Sequence, residues 1–475
     1  MTVGIKYKKL DWPLIASYLT LVIIGWLSVF SSVYDPDHAG IFDISQRYGM
    51  QFIWIISSLG IAVLILFVVN PKLYNVTAWF IYAISIFFLV AVLVAGVEIN
   101  GSKSWLMLGP FRFQPAEFSK IATSLALAAL MSTYNFQFKS LGALGRIAVT
   151  ILFPMVMIVL EKETGSALVY AGFIFMLYRE GLNGWYLIFG ILAILLFLIT
   201  LSFSSYVAII FLFIIMVVAR ALLTRQFIRH GVFLLFYLPL LIFSRRLGEL
   251  SLFDFLGHWS ETAWLALFIA PPVIYHTISA FRQKISHLWY ILLCFIVSFA
   301  MIFSVDFFFE KVLQDHQRAR IENLLGIHVD LKGAGYNVHQ SKIAIGSGGF
   351  SGKGFLQGTQ TKFNFVPEQS TDFIFCTVGE EWGFLGSVFV VFLYCFMIIR
   401  IVNLSEKQKD AFARVYGYCL ASIIFLHFFV NIGMTIGLMP VIGIPLPFVS
   451  YGGSSLWSFT IFLFIFIRLD LERWK

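Results

Sequence analysis

Long apolar stretches alternate with short polar segments along nearly the whole chain. A helix needs about 20 apolar residues to cross a membrane, so the shorter stretches must extend into their flanking residues. The apolar stretches lie near residues 13–33, 52–69, 73–97, 115–131, 144–160, 166–178, 185–203, 206–219, 232–243, 263–278, 288–309, 382–402, 412–437 and 456–467. This pattern predicts an all-α polytopic membrane protein with about 14 transmembrane helices, or about 12 if one pair is re-entrant.

Two polar segments interrupt the apolar pattern. About 60 residues between 309 and 373 are Gly-rich and charged, and their interspersed Leu, Ile, Phe and Tyr predict a folded, functional loop. Residues 439–455 hold three prolines and three glycines, which cannot continue a helix. Irregular backbone at membrane depth is tolerated only where it is buried in protein or lines a cavity. Both segments are therefore candidate functional regions.

Composition agrees with lipid as the main solvent. Of the 475 residues, 60% are hydrophobic and only 12% are charged, and the mean hydropathy is +0.88. These values exclude disordered and disulfide-rich secreted classes. The four cysteines have no CxxC spacing, so neither a zinc site nor a disulfide set is expected. The first apolar stretch is too long for a signal-peptide core and is interpreted as the first membrane helix.

The distribution of positive charge predicts the orientation in the membrane. The formal net charge is +8, and 19 of the 33 Lys and Arg residues lie in short segments that alternate crossing places on one side. An excess of Lys and Arg in short loops is typical of the cytoplasmic side. We therefore expect a cell-membrane protein with both termini cytoplasmic and with both irregular segments outside the cytoplasm. Nucleic-acid binding is not expected.

Ionisable residues in the apolar stretches are costly and are therefore candidates for function. Glu117 and Lys120 are spaced to share one helix face, either as a pair that holds helices together or as the lining of a polar cavity. The same two interpretations apply to the charged residues Glu161, Lys162, Glu163, Glu380 and Glu381. Cations on the predicted outer side could bind an anionic ligand such as a lipid diphosphate, or could form local salt bridges. These cations are Arg47, Lys103, Arg112, Arg318, Arg320, Lys332, Lys342 and Lys353.

The long loop carries two candidate acid–base carboxylates. Asp330 precedes a glycine-containing turn in HVDLKGAGY and is either a catalytic group or a solvated loop residue. Asp372 follows Ser370 and Thr371, a pattern that is typical of a helix N-terminus and favours a capping role. The stretch GSGGFSGKGF lacks the spacing of a phosphate-binding loop, and no HExxH motif occurs.

The loop motifs resemble the SEDS (shape, elongation, division, sporulation) family. The motifs LQDHQRARIENLL, GAGYNVHQSKIAIGSGGFSGKGFLQGTQ, FVPEQSTDFIF and EEWGFLG match in order and spacing, together with QPAEF, TGSALV and PLPFVSYGGSS. The combination SKIAIGSGG with GKG and GTQ is similar to the RodA-like, cell-elongation branch. The resemblance covers residues 1–178 and 285–475.

The resemblance implies a peptidoglycan glycosyltransferase that polymerises lipid II during cell elongation. It implies a class B penicillin-binding protein and the elongation machinery as partners, and an inverting attack of a sugar hydroxyl on a lipid-diphosphate donor. The family's essential loop aspartate falls on Asp330, as base or as ligand of a divalent cation (magnesium or manganese). We expect the donor to be bound by Glu117, Lys120, Arg47, Lys103, Lys353, Ser450 and Ser454. The alternatives are a lipid II flippase and a non-catalytic elongation scaffold.

The chain departs from the family pattern in several places. Leu331 follows the loop aspartate where proline is common, and Glu161, Lys162 and Glu163 replace the usual QPD. The family usually has ten spans, so we expect a SEDS-type bundle with an inserted set of helices. The predicted division is core helices at 1–178, inserted helices at 179–284, a membrane helix at 285–309, the extracytoplasmic catalytic loop at 310–372 and core helices at 373–475.

Overall fold

The protein is described by a computed structural model that is almost entirely helical. The described residues are 9–34, 40–99, 102–108, 111–133, 136, 140–247, 261–283, 286–307, 309, 311, 315–325, 335–363 and 365–473. The helices are α1 (Trp12–Ser32), α2 (Arg47–Phe67), α3 (Pro71–Ala95), α4 (Pro115–Met131), α5 (Leu141–Leu160), α6 (Thr164–Val169), α7 (Phe173–Arg179), α8 (Trp185–Ser202), α9 (Ser205–Thr224), α10 (Phe227–Leu247), α11 (Glu261–Gln283), α12 (Ser286–Phe307), α13 (Asp315–Leu325), α14 (Tyr336–Ser347), α15 (Thr359–Lys362), α16 (Ile374–Glu406), α17 (Ala411–Thr435) and α18 (Gly453–Glu472).

The predicted helical membrane fold is confirmed. Each predicted apolar stretch overlaps one or more helices, and ten helices among the described residues are long and apolar enough to cross a membrane. The apolar parts of α11 and α12 are shorter, at Trp264–Ser279 and Trp289–Val305. The number of about 14 crossings stays a prediction.

The chain divides into two compact units. One unit comprises Met1–Leu182 with Asp330–Lys475, and the other comprises Asn183–Val329. The second unit holds nearly all of the predicted insertion at 179–284, together with α12 and α13. Compactness does not show which helices the family shares, so the predicted division stays a prediction.

In the first unit, α17 and α18 lie at the centre. Their most apolar windows are 72% and 89% buried, compared with 22% for α3, whose outer face meets lipid. Helix α4 packs against α3, α17 and α18, and nearly all its side chains are buried. Its Ala, Ser and Thr residues permit this close approach, because small side chains bring helix backbones together. The helices that carry the candidate residues therefore form the core.

A three-stranded antiparallel sheet precedes α4. Its strands are β1 (Val97–Ile99), β2 (Ser102–Leu108) and β3 (Phe111–Phe113), with Glu98 opposite Lys103 and Leu106 opposite Phe113. The sequence analysis did not predict this sheet. The sheet ends at Phe113, directly before Gln114, which is the N-cap residue of α4, and so fixes the entry of that helix.

Helix α16 contains a break that the apolar pattern does not show. Gly383 has φ +65° and ψ −157°, which separates a short helix at its N-terminal side from the long apolar span. A Cβ at Gly383 would lie 2.2 Å from the amide nitrogen of Gly352, so only glycine fits this approach. The break leaves Glu380 and Glu381 on the short segment, next to the loop.

In the second unit, α9 is the central helix. It packs against α8, α10, α11 and α12, and Leu212, Phe213, Met216 and Val217 on α9 are buried in the core of this unit. Helix α8 is largely exposed, with Ile188, Ile191 and Ile194 on its outer face, as a helix in contact with lipid requires.

Candidate functional site

A buried ion pair lies at the centre of the first unit. Lys120 Nζ lies 2.8 Å from Glu117 Oε1, and the two side chains are 1% and 2% exposed. Lys120 Nζ also lies 3.0 Å from His427 Nε2 and 5.1 Å from the ring centre of Phe459. His427 Nδ1 lies 3.0 Å from the carbonyl oxygen of Pro445. A carbonyl can only accept, so Nδ1 carries the proton and the lone pair of Nε2 accepts from the Lys120 ammonium.

The position of Glu117 in its helix further stabilises its negative charge. It lies in the first turn of α4, where unpaired backbone amides carry partial positive charge. Ser458 Oγ, on α18, donates to its second carboxylate oxygen at 3.3 Å. The two predicted residues therefore neutralise each other and join α4 to α17 and α18. Their role toward a ligand stays a prediction.

The sequence analysis did not predict the role of His427. Its signal was available, because a lone ionisable residue inside an apolar helix is a functional candidate. It also missed Asn431, one turn further along α17, whose Nδ2 donates to the carbonyl oxygens of Asp372 (2.8 Å) and Ile444 (2.6 Å). Asn431 thus ties the end of the long loop to residues 439–455.

The Ser450 hydroxyl stabilises the conformation of residues 439–455. Its Oγ accepts from the Leu446 amide at 2.8 Å and donates to the Thr371 carbonyl at 2.6 Å. The Tyr451 amide donates to the Ser370 carbonyl at 2.8 Å. The first bond lies within the proline-rich segment, and the other two hold this segment against the end of the loop.

Arg47, the first residue of α2, reaches the same place. Its Nη1 donates to Ser370 Oγ at 2.8 Å, and its guanidinium lies 6.0 Å from the ring centre of Tyr451. It forms no ion pair with a described carboxylate. The structure therefore brings Arg47 to the loop end that Ser450 also contacts, with most of its N–H groups uncommitted within the described part of the chain.

Ser454 joins the starts of two core helices. Its Oγ donates to the Arg112 carbonyl at 3.2 Å and accepts from the Gln114 amide at 3.4 Å. Gln114 Nε2 in turn donates to Glu163 Oε1 at 2.9 Å. Ser454 is thus next to the beginning of α4, the helix that carries Glu117.

The ammonium group of Lys103 is bound within the protein. It donates to the carbonyl oxygens of Leu93 (3.0 Å) and Val94 (3.1 Å), the last turn of α3. Carbonyls at a helix C-terminus carry partial negative charge and favour a cation. This contact gives Lys103 a structural role.

Lys353 belongs to a dense set of hydrogen bonds around Glu380. Glu380 Oε1 accepts from Lys353 Nζ at 2.7 Å and from the amides of Thr359 and Gln360 at 2.8 and 2.9 Å. Its Oε2 accepts from the Thr361 amide and hydroxyl, both at 2.9 Å. One fully buried carboxylate therefore organises the loop segment that precedes α16, and Lys353 forms a salt bridge with it.

Glu381 adds a second contact to the same loop. Its Oε1 accepts from the Leu356 amide at 3.0 Å and from the hydroxyl of Ser31 on α1. The adjacent carboxylates Glu380 and Glu381 thus bind different parts of the loop and fix it to α16 and α1.

Asp330 and Lys332 lie outside the described residues, so the predicted catalytic aspartate stays a prediction. Within the described ranges, no group of three or more His, Cys, Asp or Glu side chains could hold a metal ion. Arg318 and Arg320, on α13, belong to the second unit.

Glu161 is a buried carboxyl with no hydrogen-bond partner. It lies in the turn between α5 and α6, is 0% exposed, and neither of its oxygens has a described partner. Burial, with a smaller contribution from the charge of Glu163, raises the pKa of Glu161 to about 8. A carboxyl in this setting is protonated at neutral pH.

Comparisons with known proteins identify relatives along the whole chain. The family of cell cycle proteins FtsW, RodA and SpoVE matches residues 11–213 and 262–474. The peptidoglycan glycosyltransferase RodA of Treponema pallidum is 31% identical over 451 residues, which cover 94% of both chains. The peptidoglycan glycosyltransferase MrdB of Escherichia coli K12 is 30% identical over 401 residues, which cover 84% of this chain and 79% of MrdB.

Solved structures show the same fold. A chain from a peptidoglycan synthase complex that coordinates polymerization and crosslinking aligns with a TM-score of 0.61 and 21% identity, over 98% of this chain and 99% of that one. The rod shape determining protein RodA of Thermus thermophilus aligns with a TM-score of 0.54 and 20% identity, over 98% of both chains. The residues between the two family matches, 214–261, lie in the second unit.

The hydrogen bonds of Glu380 predict the stability of the loop. We expect Glu380→Gln to speed amide hydrogen exchange at Thr359, Gln360 and Thr361 by roughly ten- to a hundredfold, because hydrogen bonds to a charged group contribute about 1.5–3 kcal/mol. Exchange is measured by mass spectrometry on the purified protein. Glu368→Gln, at an exposed position of the same loop, is the control and should leave these amides unchanged. Unchanged exchange in Glu380→Gln would contradict the assigned role.

The raised pKa of Glu161 predicts a pH dependence of stability. The folded state holds this proton up to about pH 8, whereas the unfolded state releases it near 4.5. The stabilising effect of this proton is therefore complete below pH 4.5, declines as the pH rises toward about 8, and is then lost. We expect the melting temperature of the wild type to fall over this interval relative to Glu161→Gln, which does not titrate. Parallel curves for the two proteins would show that Glu161 is ionised throughout.

Proposed function

Because the chain belongs to the family of cell cycle proteins FtsW, RodA and SpoVE, we propose that it is a peptidoglycan glycosyltransferase of the RodA branch. It polymerises lipid II into glycan strands during cell elongation. The observation that carries this proposal is the 31% identity to Treponema pallidum RodA over 94% of both chains. The buried Glu117–Lys120 pair at the core of the first unit supports it, because the sequence resemblance places donor-binding residues there.

The proposed reaction is a single displacement with inversion. The acceptor hydroxyl oxygen forms a bond to the anomeric carbon of the donor, while the bond from that carbon to the phosphate oxygen breaks. The hydroxyl proton passes to a general base, and the lipid diphosphate leaves with the bonding electrons. A positioned carboxylate can take this proton, and we assign that role to Asp330.

The leaving diphosphate requires stabilisation of its developing negative charge. Among the predicted cations, Arg47 is the one we favour for this task. Its guanidinium forms one hydrogen bond within the described residues and no ion pair, and Arg binds phosphate oxygens with a planar fork of donors. Lys103 and Lys353 have carbonyl and carboxylate partners, which supports structural roles for both. We place Glu117, Lys120 and Ser454 in the wall of the donor cavity, and Ser450 in its supporting frame.

The proposed setting is the cell membrane, with both termini cytoplasmic and the 310–372 loop outside. The excess of Lys and Arg in short segments supports this orientation.

A class B penicillin-binding protein is the proposed partner, supported by the shared fold with a chain of a peptidoglycan synthase complex. Asp330 is the residue that would hold a divalent cation, magnesium or manganese, and the cation would supply positive charge that offsets the charge of the leaving diphosphate.

We expect Asp330→Asn to abolish glycan polymerisation, because the amide cannot accept the proton of the attacking hydroxyl. The measurement is the length of glycan chains formed from labelled lipid II by the purified protein with its partner. Asp410→Asn is the matched control: Asp410 caps α17, and asparagine caps helices equally well, so activity should persist.

Equal polymerisation by wild type and Asp330→Asn would refute the role of Asp330. Translocation of lipid II in liposomes without polymer would instead favour a flippase. If the protein neither polymerised nor translocated lipid II but still bound the penicillin-binding protein, the result would favour a scaffold.

The buried pair can be tested by single and double substitution. Glu117→Gln leaves the Lys120 ammonium buried without its counter-charge and should destabilise the protein by about 3–5 kcal/mol. Replacing both residues, as Glu117→Leu with Lys120→Met, should largely restore the melting temperature, since apolar replacements of a buried pair are often neutral. We expect this stable double variant to be inactive in polymerisation. A stable and active double variant would show that the pair only holds helices together.

A further inference from the structure

An arginine lies buried in the second unit with no counter-charge among the described residues. Arg220, near the end of α9, is 5% exposed. Its Nη1 donates to the His276 carbonyl at 3.3 Å and its Nη2 to Ser279 Oγ at 2.6 Å, both on α11, while its buried Nε has no partner in the described part of the chain. A guanidinium has five N–H donors, so several remain free here.

Arg220 borders a small cleft. The cleft lies between α9, α11 and α12 and is lined by Met216, Arg220, His276, Ile291 and Leu292. Both ring nitrogens of His276 are buried and lack described partners. Buried polar atoms are nearly always hydrogen-bonded, so this cluster indicates a missing polar partner.

More positive charge surrounds the cleft. Arg229, at the start of α10, donates to the hydroxyl of Tyr275 at 2.6 Å, and the ring centre of Tyr275 lies 5.8 Å from the guanidinium carbon of Arg220. Arg225 and Arg282 are exposed at the same end of α9 and α11. The sequence contains no Asp or Glu in residues 181–248 or 262–305, so these stretches offer the arginines no carboxylate, and an anion from outside the chain would complete the cluster.

The surface beside the arginines is strongly apolar. Leu222, Ile228 and Ile274 are 61%, 85% and 56% exposed, and they lie on the same helix ends. On membrane-spanning helices such side chains face lipid tails. An occupant of this site therefore needs an anionic head group beside acyl chains.

We propose that the site formed by Arg220, Arg229, Tyr275 and His276 binds the phosphate of an anionic phospholipid. The arginine forks bind the phosphate oxygens, and His276 supplies a donor or acceptor to the rest of the head group. Basic pockets between membrane helices bind anionic head groups in this way. The preference for Lys and Arg on the cytoplasmic side explains the exposed arginines. It does not explain the buried Arg220, since an unpaired buried charge lowers the stability of the fold.

The test uses the full-length, delipidated protein and native mass spectrometry with phosphatidylglycerol, phosphatidylcholine or inorganic phosphate. We expect wild type to bind phosphatidylglycerol in preference to phosphatidylcholine, and Arg220→Gln/Arg229→Gln to weaken this binding by roughly tenfold or more. Arg146→Gln, at an exposed arginine on α5 of the first unit, is the control and should bind as wild type.

The variants also separate loss of binding from loss of folding. Arg229→Gln alone changes an exposed residue and should weaken binding with an unchanged melting temperature, whereas Arg220→Lys should retain part of the affinity. Unchanged phosphatidylglycerol binding in both Arg229→Gln and the double variant would overturn the proposal. Equal affinity for inorganic phosphate and phosphatidylglycerol would overturn the assignment to a lipid.

Discussion

The first unit depends on the neutralisation of one ammonium group that water cannot reach. Lys120 contacts a carboxylate on its own helix, an imidazole on α17 and an aromatic ring on α18. His427 extends the set through its bond to the Pro445 carbonyl, at the irregular segment. Leaving a buried charge without its partner costs more free energy than forming the pair gains. These elements can therefore pack together only in an arrangement that keeps every contact of Lys120. The pair therefore fixes the relative positions of three helices and one non-helical segment.

The same constraint shapes the long loop, with the signs reversed. Glu380 is a buried anion, and it is satisfied mainly by backbone amides of the loop itself, with Lys353 as its counter-ion. Polar loop backbone can lie against membrane helices because a carboxylate accepts the hydrogen bonds that water would otherwise provide. The break at Gly383 is part of this arrangement, since it brings Phe350 and Gly352 against the short helical segment. A fixed loop of this kind can hold catalytic groups in place against the helices.

The sequence was sufficient for most of the helices and for the Glu117–Lys120 pair, because both depend on short-range spacing. Hydropathy placed the span of α16 at 382–402, which matches the helical part after the break at Gly383. The short helical part that begins at Ile374 was missed, because its two glutamates interrupt the apolar run. The sheet at 97–113 was missed because its strands are only three to seven residues long. The partners of Lys103 are backbone carbonyls, and those of Asn431 come from two distant segments; no residue pattern encodes such contacts.

The contacts of each cationic side chain show whether that side chain stabilises the fold or is available to bind a ligand. The ammonium groups of Lys103, Lys120 and Lys353 each donate to acceptors within the protein. They would therefore keep hydrogen-bond partners without an anionic ligand. Arg47 and Arg220 are different, because each uses only part of its donor set on described residues and forms no described ion pair. Uncommitted guanidinium donors, rather than net positive charge, are therefore the structural sign of an anion site at Arg47 in the first unit and at Arg220 in the second.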